Sequence, residues 1–331
     1  MLGGAIDIIV IELPNGQLRS SSFHVRFSST QVLTSNDVDI LIYINGKKKD
    51  LKMKLAKSGD AYFSLDKIDQ YILDQSNIKV PDNENNDYYY MDASFNRIKN
   101  NKHCSLFPTE DQIKKMELKQ GKNEICFAID TYLGGVQVLK SNIYFWPSTV
   151  KMILWDIDGT VTKSDLLGVI LPRLGIEWNH DGVIELIDKL SCNGYKIVYL
   201  TARAIFQSDA THDFLRNLKK DEKKLPYGPI IMDPDGVFSS FKKGIIQKQQ
   251  YLIKILSLLE IKNLFRDDEQ HFYAGFGNKE TDAIAYRYIN IPLKNIFIIN
   301  PSSNIAQLGE KEKTTYPKLI ESCDIIFPKL F

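Results

Sequence analysis

The apolar run Met152-Ile153-Leu154-Trp155, followed at once by Asp156-Ile157-Asp158-Gly159-Thr160, constrains this chain more than any other feature. Consecutive apolar residues of this kind read as a strand buried on both faces, the pattern of a parallel sheet covered by helices. A strand ending in D-x-D-G-T delivers two carboxylates to the carboxyl edge of that sheet, where open α/β sheets hold their sites. Two side chains two apart on a continuing strand share a face. Here the strand is ending, so one carboxylate can reach a substrate while the turn at Gly159 steers the other. The pair suits phosphoryl transfer through an aspartyl-phosphate, one Asp attacking phosphorus and the other handling the proton. Like charges this close repel, so a cation, Mg2+ in the first place, is expected to share the site.

The chain beyond Lys151 continues in the same style. Strands are expected at Met152–Trp155, Tyr195–Leu200, Pro229–Met232, Phe272–Ala274 and Asn295–Ile299. Helices are expected around Gly182–Cys192, Gln207–Lys219, Gln247–Glu260 and Glu280–Tyr288. Strand and helix in alternation give a parallel sheet with helices on both faces, and function at the strands' carboxyl ends. Thr201-Ala202-Arg203 stands at one such end, with a hydroxyl, backbone N–H groups and a guanidinium suited to phosphate oxygens. Gly275-Phe276-Gly277-Asn278, followed by Asp282, stands at another and offers hard oxygens for Mg2+. A lysine should neutralise the nucleophile and the moving phosphoryl group. Lys254 and Lys248 are the candidates, with Lys242 and Lys243 as outside choices. No large domain fits between Asp158 and Thr201, nor between Thr201 and Asn278, so the site should be open with at most a small cap. Leu166, Leu167, Val169, Ile170 and Leu171 could line a membrane-facing surface or bury the following helix.

Residues 1–145 have a different period. Ala5–Leu13, Ser22–Phe27, Val38–Ile44, Asp50–Leu55, Ala61–Leu65, Glu124–Ile129 and Val136–Tyr144 read as short strands, with turn signals at Pro14-Asn15-Gly16 and Asn45-Gly46. A small immunoglobulin-like sandwich over residues 1–146 is expected, assembled from 1–65 and 120–146, with the catalytic domain over 147–331. Asn77–Asn101, rich in Asn, Asp and Tyr, reads as a long loop or insertion. The short passage after Ile143-Tyr144-Phe145-Trp146-Pro147 argues for a sandwich docked on the catalytic domain rather than tethered loosely.

Charge and composition narrow the partners. The 331 residues suffice for two cores, and a net charge of +1 gives no bulk attraction to nucleic acid. The lysine runs 47–49, 219–220 and 223–224 read as solvated faces, or as holds for an anionic membrane surface where they lie on the active-site side. No stretch of about eighteen apolar residues is present and the start lacks a signal peptide's basic region, so a cytoplasmic protein is expected. The four cysteines are dispersed without CxxC spacing and read as reduced thiols, and the five histidines form no zinc motif.

The stretch Asp156-Ile-Asp-Gly-Thr-Val-Thr-Lys-Ser-Asp165 resembles the core of haloacid-dehalogenase (HAD) type phosphatases, and specifically the lipin family of Mg2+-dependent phosphatidate phosphatases. The likeness continues through Leu167-Gly168, Leu171-Pro172, Gly194-Tyr195-Lys196, Ala202-Arg203-Ala204-Ile205, Leu225-Pro226-Tyr227-Gly228-Pro229, Asn263-Leu264-Phe265, Gly277-Asn278 and Asn300-Pro301. Near the amino terminus, Gly4-Ala5-Ile6-Asp7-Ile8-Ile9-Val10, Pro14-Asn15-Gly16 and Phe23-His24-Val25-Arg26-Phe27 are similar to the lipin amino-terminal region. The resemblance implies an α/β HAD-like catalytic domain with Asp156 as nucleophile, Asp158 as general acid and base, and Thr201 as the second-motif hydroxyl. Lys254 or Lys248 would be the lysine, with Gly159, Thr160, Ala202 and Arg203 supporting the phosphate. Asn278 and Asp282 would complete a Mg2+ site with Asp156 and the backbone carbonyl of Asp158. The implied substrate is phosphatidate in a membrane surface, converted to diacylglycerol by a protein peripheral on the endoplasmic reticulum or nuclear envelope. The chain departs from the family in having Lys248-Gln249-Gln250 where lipins usually carry Lys-Lys-Pro, which makes Lys254 the better match. The family's leading amphipathic helix is expected to be trimmed or absent, and its long phosphorylated middle is missing. An exposed site of this kind could also serve a soluble phosphoester or phosphoprotein, and a catalytically silent lipid-binding module is the alternative outside enzymes.

Overall fold

Alternating apolar and polar residues build the first half of the chain. A computed structural model describes residues 3–28, 38–65, 72, 79–82, 87–90, 104–131, 135–163, 179–220, 222–234, 243–265 and 269–330, with the backbone alone at 79–82, 87–90, 131 and 243–251. The chain forms two compact units. One comprises residues 1–148, 204–209 and 232–267; the other comprises 149–203, 210–231 and 268–331.

The first unit is β-rich. Its main sheet runs, edge to edge, through Cys104–Ser105, Ala61–Ser64, Lys47–Leu55, Val38–Ile44, Gly121–Thr131, Gly135–Pro147, Ile8–Glu12 and Leu18–Ser20. Neighbours are antiparallel except for Gly135–Pro147 with Ile8–Glu12, which are parallel. Ile40, Ile42 and Ile44 point inward while Asp39, Leu41 and Tyr43 point outward, as a period of two requires. Asn45 and Gly46 both have positive φ, the conformation of a two-residue hairpin turn. The segment leaving the edge strand Leu18–Ser20 crosses toward the far edge, where Phe23 N–H donates to Leu106 O at 2.9 Å and Phe27 N–H to Gly59 O at 2.8 Å. The sheet is therefore curled and partly closed. Phe23 fills the interior edge-on to Phe63 (5.0 Å) and Phe127 (6.4 Å).

Three local expectations change. The first strand breaks at Asp7, leaving Gly4–Ala5 and Ile8–Glu12, because the buried Asp7 carboxylate turns to accept from Ser141 Oγ, Asn142 N and Asn142 Nδ2 at 2.9–3.0 Å. Of Ser22–Phe27 only Val25–Arg26 is strand, since Ser22 bonds instead to the side chain of Glu260. Within 77–101, Lys79–Asp82 and Asp87–Tyr90 pair as antiparallel strands rather than a loop; residues 91–101 lie outside the described residues. An unanticipated helix, Glu110–Met116, carries a reciprocal capping box between Thr109 and Gln112, a signature its T-x-x-Q spacing already displayed.

The second unit is the α/β half. Its sheet order is Ile230–Asp233, Lys196–Ala204, Met152–Asp156, Phe272–Gly277, Ile296–Ile299, Ile305–Gln307 and Lys313–Thr314. Met152–Asp156 is central, parallel to both neighbours, and Phe272–Gly277 is parallel to Ile296–Ile299; the last two strands are antiparallel additions. Helices Val183–Cys192, Ser208–Asn217 and Glu280–Tyr288 match their expected positions within a few residues. Trp155, Phe276 and Phe297 stack face to face across three adjacent strands, at 3.9 Å and 4.6 Å, so the centre of the sheet is held by aromatic contact as well as by its ladder. The strand from Lys196 continues through Ala204, four residues past its expected end, which keeps Thr201-Ala202-Arg203 on the strand.

Of the lysine runs, Lys220 is bound to Asp181 (2.6 Å) and Glu185 (3.0 Å), Lys223 approaches Asp188, and Lys49 pairs with Glu117. These runs hold structure as well as face solvent. Leu166–Leu171 lie outside the described residues. No helix among the described residues is long and apolar enough to cross a membrane.

Candidate active site

Met152–Asp156 and Phe272–Gly277 end side by side, and Lys196–Ala204 runs on past them. Asp156 is the last residue of its strand and is registered opposite Leu200, while Trp155 is registered opposite Phe276. Thr201 therefore follows Asp156's partner on one side, and Gly277-Asn278 follows on the other. The register of these parallel strands, whose carboxyl ends point to one edge of the sheet, brings these groups together.

The turn after Asp156 is built by the sequence itself. Ile157 O accepts from Val161 N at 3.0 Å and Thr162 N at 3.3 Å, and Gly159 sits at φ +85°, where a side chain would strain the backbone. Gly159 N–H donates to Thr162 Oγ1 at 3.1 Å, and Thr160 Oγ1 donates to Asp156 Oδ2 at 3.3 Å. The two carboxylates have different surroundings. Asp158 accepts from Thr201 Oγ1 on Oδ2 at 2.8 Å and from Arg203 Nη2 on Oδ1 at 2.7 Å. Thr201 Oγ1 in turn accepts from Arg203 N–H at 3.1 Å. Asp156 and Asp158 are both buried.

On the other side, Asp282 Oδ2 accepts from the backbone N–H groups of Asn278 and Lys279, each at 3.0 Å. A Cβ on Gly277 would lie 2.4 Å from Asp282 Cβ, so only glycine lets that carboxylate close over the loop. Asp282 thus shapes the loop that presents Asn278. Among the described residues no three or more His, Cys, Asp or Glu side chains converge as a metal cage. The oxygens present still suit Mg2+, which takes one or two carboxylates and leaves its other positions to water and substrate phosphate.

Asp156, Asp158, Gly159, Thr160, Thr201, Ala202 and Arg203 are thus gathered in the second unit, with Asn278 and Asp282 at the adjoining strand end. Ala202 brings only backbone groups. Lys254 and Lys248 stand on the helix Lys243–Lys262 of the first unit. Their spacing of six residues puts them about 120° apart around the helix, so one face cannot present both. Lys254 is half-buried, and the Lys248 side chain lies outside the described residues.

Two supports were not foreseen. His180 is buried, with Nδ1 2.8 Å from Ser303 Oγ and Nε2 3.4 Å from Gly159 O. Burial pushes its pKa below the ordinary value. Tyr316 donates its hydroxyl to Thr160 O at 3.0 Å; burial, with the Asp156 charge adding to it, holds that phenol well above its usual pKa. Neither residue has a sequence signature: one is a lone histidine, the other an aromatic far along the chain.

A family model described as LNS2 (Lipin/Ned1/Smp2) matches residues 104–328, and one described as the lipin N-terminal conserved region matches residues 1–82. The chain is 43% identical over 222 residues to "Phosphatidate phosphatase PAH1" of Arabidopsis thaliana, covering 67% of this chain and 25% of that protein. It is 40% identical over 225 residues to "Phosphatidate phosphatase LPIN3" of Homo sapiens, covering 68% and 26%. It is 37% identical over 233 residues to "Phosphatidic acid phosphohydrolase 1" of Saccharomyces cerevisiae, covering 66% and 27%. The matched stretches amount to about a quarter of these relatives' own lengths.

Proposed function

The chain belongs to the lipin family, and from that premise we propose that it is a Mg2+-dependent phosphatidate phosphatase, releasing diacylglycerol and phosphate. The second unit is read as a HAD-type core and the first as an immunoglobulin-like domain. The observation that carries the proposal is the unequal pair at the strand end. Asp156 is bonded by the loop's own Thr160, whereas Asp158 is held through both oxygens by Thr201 and Arg203. Two carboxylates in different environments suit two different roles.

Asp156 attacks phosphorus in line through a carboxylate oxygen, and the bond from phosphorus to the diacylglycerol oxygen breaks. Asp158 delivers its proton to that departing oxygen, which would otherwise leave as a poor alkoxide. Water then attacks the phosphorus of the aspartyl-phosphate, gives its proton to Asp158, and the bond to Asp156 breaks to free phosphate. The turn at Gly159-Thr160 and the backbone at Ala202 border the place proposed for the phosphoryl group, although Gly159 N–H is itself bonded to Thr162 Oγ1. A lysine, Lys254 before Lys248, offsets their charge. Mg2+, held by Asp156, the carbonyl of Asp158, Asn278 and Asp282, would supply positive charge against the incoming dianion. A substrate held in a bilayer would make this a peripheral membrane protein, and the family resemblance would place it at the endoplasmic reticulum or nuclear envelope.

The test is phosphate release from phosphatidate in mixed micelles, with and without Mg2+, beside an aryl phosphate and a phosphopeptide. Mg2+-dependent release from phosphatidate is expected. Robust peptide turnover with none on phosphatidate would transfer the site to phosphoproteins. Micelle binding without phosphate release from any of the three would make the chain a silent binding module.

A further inference from the structure

We propose that Arg203 acts through Asp158, as a positioning residue seated on Phe214, and is not a ligand of the transferred phosphate. This rests on the phosphatase reading above and assigns Arg203 a place that its position in the sequence does not suggest. A guanidinium at a strand end beside two aspartates looks made for phosphate oxygens. In the folded chain it is already engaged. Nη2 lies 2.7 Å from Asp158 Oδ1, and the two side chains are only 11% and 12% exposed. The guanidinium carbon stands 5.2 Å from the centre of the Phe214 ring, on the helix Ser208–Asn217. Its backbone N–H is tied to Thr201 Oγ1, the same oxygen that donates to Asp158 Oδ2.

The geometry is that of a clamp. Each oxygen of Asp158 accepts one bond, from a different side chain, so the carboxylate cannot rotate about its last torsion without breaking both. Arg203 is held by its Nη2 bond to Asp158 on one side and by contact with an aromatic ring on the other. Thr201 alone would leave one oxygen unheld.

The consequence is specific to the leaving group. An alkoxide must take a proton as it departs, whereas an aryl oxide of low pKa leaves unaided. Misalignment of Asp158 therefore costs an alkyl ester far more than an aryl ester. Loss of a phosphate ligand costs both alike, because the phosphoryl group is the same. General disruption of the fold also costs both alike. The ratio kcat/KM covers only the steps through departure of the alcohol, so the water step common to both esters does not enter.

The experiment compares kcat/KM on a short-chain phosphatidate and on p-nitrophenyl phosphate for wild type, Arg203→Met, Arg203→Lys and Phe214→Leu. Inorganic phosphate is used as a competitive inhibitor of each. For Arg203→Met, kcat/KM on phosphatidate should fall about 10²-fold and on the aryl ester only about threefold, in keeping with the worth of an aligned general acid. Inhibition by phosphate should hold within about twofold, because no phosphate contact is removed. Arg203→Lys should recover part of the phosphatidate loss. Phe214→Leu should show the same selectivity at smaller size. If Arg203→Met does not fold, as a thermal melt would show, the lysine and leucine variants carry the comparison. Equal losses on the two esters, or phosphate inhibition weakened tenfold, overturns the proposal. Wild-type protein inert toward both esters overturns the phosphatase reading itself and this inference with it, which is a different result from an active wild type with unselective variants.

Discussion

Asp156 and Asp158 stand two positions apart and bond different side chains. Asp156 ends a strand and is touched by Thr160 from its own turn, while Asp158 is held by residues more than forty positions away. Asp156→Asn should leave the fold intact and nearly abolish phosphate release, because a carboxamide does not form the acyl phosphate; a folded variant with near-wild-type release refutes the nucleophile. Asp158→Asn should cost on the order of 10²–10⁴-fold, and a change below about threefold would assign the proton to another group. His180 carries a prediction about pH. Its folded pKa lies below the ordinary histidine value because burial disfavours the cation. The unfolded chain therefore binds the proton more readily, so the stability His180 contributes is present above its unfolded pKa and is lost as pH falls toward the folded one. His180→Asn should flatten the fall in melting temperature below about pH 6.5. Parallel acid limbs for variant and wild type would show that other groups govern it.

At the scale of elements, the helix Lys243–Lys262 is tied into the first unit by polar contacts. The Glu260 carboxylate accepts from Ser22 N at 2.6 Å and from Ser22 Oγ at 3.0 Å, and Arg19 Nη1 donates to Asn263 O at 3.0 Å. Glu260→Ala strands a buried N–H and hydroxyl, and should destabilise the chain by about 1–3 kcal/mol; a denaturant midpoint unchanged from wild type would show that solvent replaces the carboxylate. The same helix bears the candidate lysines on different faces. Lys254→Met should lower phosphatidate turnover strongly and Lys248→Met mildly. Severe loss confined to Lys248→Met reverses the assignment, and no loss in either removes both. The neighbouring strand end depends on Gly277, whose missing side chain lets the Asp282 carboxylate reach the Asn278 and Lys279 amides.

For the whole molecule, the chain is matched by two lipin family models over 1–82 and 104–328, yet spans about a quarter of its relatives' lengths. The shared part includes the strand ends where the proposed chemistry is placed. Chelation of divalent metal should abolish phosphate release, and added Mg2+ should restore it. The melting curve of the first unit, built on the Phe23, Phe63 and Phe127 contacts, should change little on chelation. Full turnover in excess chelator would remove the metal from the mechanism.

Local periodicity and spacing alone determined the β-rich first half, the alternating second half, the strand before Asp156 and the residue types at three strand ends. These are legible because burial on both faces demands continuous apolar runs, and turns demand glycine and asparagine. Tertiary structure decided what each polar group touches. Asp7 reads as an interruption of an apolar strand, and becomes its break point only because Ser141 and Asn142 arrive beside it. Thr201 and Arg203 read as phosphate-facing residues, yet both bond to Asp158. His180 and Tyr316 gain their places against the Gly159-Thr160 turn from contacts that no spacing announces. A hydrogen bond needs its partners within about 3 Å, and for residues far apart in the chain that distance is set by how the intervening strands and helices pack.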